Sequence, residues 1–115
     1  MRGNNPDLPT EIALDLLLTL FDGPRSAGDL ADGVDELAGR EVPMATFFRQ
    51  VQKAIDRGWI EVEEPDGGGR RSRRGRPGRL YRITAAGERD LRSGAELQRR
   101  RWARAEALGL LPGGR

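Results

Sequence analysis

The stretch GWIEVEEPDGGGRRSRRGRPGRLYRITAAG, residues 58–87, decides the fold of this chain. In Trp59–Glu64, Ile60 and Val62 alternate with Glu61 and Glu63, the period of a half-buried strand. Arg79–Thr84 repeats the pattern, with Tyr81 and Ile83 on one face and Leu80 and Arg82 on the other. The intervening Pro65–Gly78 holds five Gly, five Arg and two Pro, and is too long for a tight hairpin turn. Seven arginines and no acid lie between Gly67 and Gly87. A basic, glycine-rich loop between two strands is suited to gripping a polyanion.

Upstream, the periodicity predicts three helices. Thr10 to about Asp22 places Ile12, Leu16 and Leu20 on one face, with Leu17 and Phe21 beside them. Thr10 is a candidate N-cap, and Gly23-Pro24 stops the helix. A second helix over Ala27–Ala38 is capped by Ser26, with Asp29 three residues on and Leu30, Val34 and Leu37 as its stripe. A third runs from near Pro43 to Arg57 and buries Phe47, Phe48, Val51, Ala54 and Ile55. Its other face carries Thr46, Arg49, Gln50 and Lys53, spaced so that their side chains project together.

Downstream, Thr84 caps a last helix that reaches about Leu110. Leu91, Ala95, Trp102, Ala105 and Leu108 mark an apolar seam along it, weakened by Ser93-Gly94. Two readings of this helix stay open: it packs back on its own domain, or it makes a homodimer contact, because Trp102 and Leu108 project past the three-helix core.

Composition narrows the function. Residues 1–66 hold 6 basic and 14 acidic side chains, a net of −8, whereas residues 67–115 hold 14 and 4, a net of +10. This asymmetry suggests an acidic body with a basic arm that seeks phosphate. The chain has no Cys and no His. Disulfides, thiolate metal sites and the commonest general base are therefore excluded, and neither an enzyme nor a cofactor is expected. No apolar run approaches the ~20 residues of a membrane span. The opening MRGNNPDLP lacks the marks of a secretion signal, so a cytoplasmic location is expected.

The order helix, helix, helix, strand, basic loop, strand, long helix is that of a winged helix-turn-helix, a mainly α fold with one small β-hairpin. The expected organisation is a flexible 1–9, a winged domain over 10–84 with its wing loop at 65–78, a dimerisation helix over 85–111 and a tail at 112–115. In such a domain the third helix enters the major groove of double-stranded DNA and the wing follows the adjacent backbone or minor groove. Arg49, Gln50 and Lys53 carry donors suited to base edges. Thr46, at the start of the helix, suits a phosphate. In the wing, Arg70, Arg71, Arg73, Arg74, Arg76 and Arg79 supply charge. Arg74-Gly75-Arg76-Pro77 also matches a motif that inserts into narrow A·T minor grooves, so phosphate contact and minor-groove insertion both stay open.

Several segments resemble the PadR-like transcriptional regulators. TFFRQV (46–51) with GWI (58–60) is similar to that family's TLYxxL…GLI segment. GRPGRLYRITAAG (75–87) resembles its GRPRRYYRLTxAG, and DGPR (22–25) resembles the link into its second helix. The resemblance covers roughly residues 10–92. Phe48 stands where the family commonly has Tyr, and SAGDL (26–30) replaces HGYEL. The short chain after the wing resembles the compact branch, in which one C-terminal helix makes the dimer. The resemblance implies a DNA-binding homodimer, acting as a repressor, with a small aromatic effector near the dimer interface and Trp102 as a candidate pocket residue. Two competing classes are weaker. A protein-binding adaptor would carry apolar residues on its wing, and an RNA binder would present stacking aromatics.

Overall fold

The computed structural model describes residues 9–64 and 78–110. The elements are α1 (Glu11–Leu20), α2 (Ala27–Ala38), α3 (Met44–Asp56), β1 (Ile60–Glu63), β2 (Leu80–Ile83) and α4 (Ala85–Ala107). This is the expected winged helix-turn-helix order. β1 and β2 pair antiparallel, with Ile60 opposite Ile83 and Val62 opposite Tyr81. Among the described residues, no helix is long and apolar enough to cross a membrane.

α1 is the hub, because leucines occupy most of its circumference. Leu16, Leu17 and Leu20 are fully buried, together with Leu30 and Val34 of α2 and Phe47 of α3. Each such side chain contributes roughly 1.5–3 kcal/mol relative to exposure. Trp59, Ile60, Tyr81 and Leu91 extend this core toward the hairpin and α4. The hairpin is also stitched to the helices by the α1–α2 link. Arg25 and Tyr81 exchange both backbone hydrogen bonds, at 3.0 and 2.8 Å, making a one-residue third strand.

Two caps form as the sequence suggests. Ser26 Oγ accepts from the Asp29 N–H at 3.2 Å, and Thr84 Oγ1 accepts from the Gly87 N–H at 2.9 Å. Thr10 makes no side-chain cap bond, although it occupies the N-cap position.

Three residues expected in buried stripes are exposed instead. Phe21 lies past the last turn of α1, with the Arg92 guanidinium 5.7 Å from its ring centroid. Leu37, in the last turn of α2, is turned toward a groove beside α4. Phe48 follows the buried Phe47 by one residue, and a rotation of roughly 100° carries it out of the core. Gly94 has a packing role. A Cβ there would lie 2.9 Å from Leu14 Cδ2 and 3.2 Å from Pro9 Cδ. The missing side chain of Gly94 lets α4 cross α1 closely.

Candidate nucleic-acid interface and C-terminal helix

Phe47, Val51 and Ala54 define the inner face of α3. At roughly 100° per residue, Arg49, Gln52 and Asp56 project from the opposite face. Arg49 and Lys53 are exposed, as a partner-facing role requires. Thr46 and Gln50 are only half-buried and sit toward the flank. Gln50 and Lys53 border a pocket of about 430 Å³ with Thr10, Arg57 and Trp59. The four sequence candidates span one side of the helix: Arg49 and Lys53 are exposed toward its outer face, while Thr46 and Gln50 sit on the flank, Gln50 toward the start of α1.

Gln52 was missed by the sequence reasoning. It is exposed one turn beyond Arg49, and its Nε2 donates to Asp56 Oδ1 at 3.0 Å. The i, i+3 spacing from Arg49 was the available signal. Met44 and Phe48 also stand out from the first half of α3, at 55% and 45% exposure.

At the base of the wing, basic residues meet acids. Arg79 Nε lies 3.4 Å from a Glu64 oxygen, and an Arg82 guanidinium nitrogen lies 3.6 Å from Glu63. Both pairs are exposed, so each contributes little stability. Their effect is local: charge at the root of the hairpin is nearly balanced. Arg70, Arg71, Arg73, Arg74 and Arg76 lie outside the described residues.

The end of α3 is tied to the start of α4. The Trp59 indole N–H donates to Asp90 Oδ2 at 2.8 Å. The Thr84 hydroxyl donates to the Gly58 carbonyl at 2.6 Å, and the Thr84 N–H donates to the Trp59 carbonyl at 2.9 Å. A Cβ on Gly87 would collide with that same Trp59 carbonyl. The Arg57 guanidinium covers the Trp59 ring at 4.7 Å. Thr84 at the N-cap, with Gly87 and Asp90 in the first turns of α4, all face this junction.

Farther along α4 the seam divides. Leu91 is buried in its own domain, because α4 lies across α1 there. That placement corrects its assignment to a dimer contact. Ala95, Trp102 and Leu108 are exposed and Ala105 is half-buried. Between α1, the end of α2 and α4 runs a groove of about 500 Å³, bordered by Ile12, Leu18, Leu37 and Trp102. Asp15 lines it too, and burial first, then the neighbouring Glu11, raises its carboxyl above the ordinary value. On the exposed side Arg99 grips Glu96 with two hydrogen bonds, at 2.7 and 3.1 Å. Those bonds lower the Glu96 carboxyl below its ordinary range.

No protein-family model and no curated protein matches this chain. Solved structures do. The Thermoplasma acidophilum protein TA0346 covers 87% of this chain and 92% of its own, with a TM-score of 0.66 at 23% identity. Bacillus subtilis PadR, solved in complex with operator DNA, is similar over 73% of this chain, with a TM-score of 0.58 at 19% identity. The match spans 46% of PadR's length. A PadR-family transcriptional regulator from Eggerthella lenta covers 87% of this chain and 82% of its own, with a TM-score of 0.56 at 20% identity. With its three-helix core, its antiparallel hairpin and a long helix after the hairpin, the chain has the winged helix-turn-helix fold of the PadR-like regulators.

Proposed function

We propose that this protein is a sequence-specific, double-stranded DNA-binding transcriptional regulator that acts as a homodimeric repressor. The observation that carries the proposal is the outer face of α3. It presents Arg49, Gln52 and Lys53 from a helix whose inner face is locked in the core, directly before the hairpin whose loop sequence is rich in arginine. The shared fold with PadR, a protein solved on operator DNA, supports the same reading.

In this mechanism α3 enters the major groove. Arg49 donates to guanine O6 and N7, and Lys53 reaches a base edge or a phosphate at the groove's rim. Thr46, in the first turn, contacts phosphate. The wing arginines run along the neighbouring backbone and supply affinity without choosing the sequence. Two copies pair through the distal half of α4 and its C-cap, where Trp102 and Leu108 are each 54% exposed, with Ala105 between them and Ala95 ahead of Trp102. The groove beside Trp102 accepts a small aromatic effector, whose occupancy alters how the two copies meet.

Selection of bound sites from a random duplex pool tests this function. A dimer of this fold enriches a palindrome whose half-sites lie about one helical turn apart. No enriched motif, with binding only to RNA or to protein, would overturn the proposal.

A further inference from the structure

Two large apolar side chains stand in solvent on the very helix assigned to the major groove. Met44 is 55% exposed and Phe48 is 45% exposed, four residues apart in the first half of α3. Ala45, also exposed, lies between them and Arg49 on the helix surface. The Phe48 ring is held in place: it meets the fully buried Phe47 edge-on, with centroids 4.9 Å apart and planes at 74°. A side chain positioned by the core yet left facing water is suited to a partner surface.

The partner's chemistry follows from the neighbours. Arg49 borders this edge, so the occupant must offer negative charge or acceptors beside an apolar group. In the major groove, thymine supplies that apolar group as its 5-methyl, next to acceptors on adjacent bases and a phosphate backbone. The first turns of a recognition helix are the part that reaches base edges. We infer that Met44, Ala45 and Phe48 form an apolar edge that reads thymine 5-methyl groups, beside the hydrogen-bonding readout by Arg49. The inference rests on the DNA-binding reading above and adds a rule for the operator: each half-site carries thymine next to the base pair that Arg49 contacts.

The test uses the full chain and a duplex recovered from a random pool. Each thymine is replaced singly by deoxyuridine, which removes one methyl and nothing else. Burying one such carbon corresponds to about a fourfold change in affinity. At one or two thymines per half-site the replacement should weaken binding by about fourfold. In Phe48→Ala or Met44→Ala protein the same replacement should change nothing, while the preference for guanine at the Arg49 position persists. Should Phe48→Ala fail to fold, Met44→Ala and the scan with unaltered protein still decide. The inference is overturned if every uracil duplex binds within twofold of the parent, or if both variants keep the full penalty. A pool that yields no enriched duplex is a different outcome: it overturns the DNA reading, and this inference with it.

Discussion

The indole N–H of Trp59 and the carboxylate of Asp90, 31 residues apart in the chain, meet at 2.8 Å and join the end of α3 to α4. Trp59 is 5% exposed and Asp90 is half-buried, so the bond lies at the edge of the core. Asp90→Ala leaves a buried donor without a partner and should lower stability by about 1–3 kcal/mol. Asp90→Asn keeps an acceptor and should cost less. Denaturant unfolding followed by Trp fluorescence distinguishes the two, and equal losses would show that the hydrogen bond is unimportant.

Gly87 and Gly94 should respond differently to the same substitution. At Gly87 the obstacle to a Cβ is the Trp59 backbone carbonyl, which cannot move without shifting the α3–β1 turn. At Gly94 the nearest atom is the tip of Leu14, a side chain able to change rotamer. Alanine also gains about 1 kcal/mol of helix propensity over glycine. Gly94→Ala should therefore lie near neutral, and Gly87→Ala should destabilise by about 1–3 kcal/mol, as overpacked sites do. Melting temperatures in the reverse order would contradict the α4 packing described above.

Asp15 carries a pH dependence of unusual sign. Burial and Glu11 both penalise its charged form, so its folded-state pKa lies above the ordinary 3.8. The stability it contributes is present at low pH, with the carboxyl protonated, and is lost as pH rises from about 4 through the raised value. Asp15→Asn should thus stabilise the protein at pH 7, with the gain shrinking toward pH 3. A gain independent of pH across that window would assign the effect to something other than charge.

Salt dependence separates the wing from α3. If four or five wing arginines per protomer neutralise phosphates, log K against log salt should fall with a slope of about −7 to −9 from the wings of a dimer. Arg79 and Arg82 start from pairs with Glu64 and Glu63, which a phosphate would have to displace. A slope shallower than about −3 would mean that the wing is not the main anchor.

Local periodicity carried most of the fold. The alternation in Trp59–Glu64 and Arg79–Thr84 located both strands to within a residue or two, and Ser26 and Thr84 announced their helices through capping chemistry. What escaped were pairings between distant segments. Nothing near Arg25 marks it as a bridge to Tyr81, and nothing near Asp90 marks it as the acceptor for Trp59. Leu91 looked like a seam residue because its helix position matches that of Trp102, yet α1 covers the first and not the second. On α3, spacing alone grouped Gln50 with Arg49. Only the position of the core, set by Phe47, Val51 and Ala54, shows that Gln52 shares the outer face more fully.

The most direct test of sequence reading by α3 is the affinity of unaltered and Arg49→Ala protein for a selected duplex and for its scrambled counterpart, at one salt concentration. The unaltered protein should prefer the selected duplex by about 10³-fold or more. Arg49→Ala should lose about 1–3 kcal/mol of that preference while binding the scrambled duplex as before. Equal affinity of the unaltered protein for both duplexes, or an Arg49→Ala variant that keeps the full preference, would contradict the account.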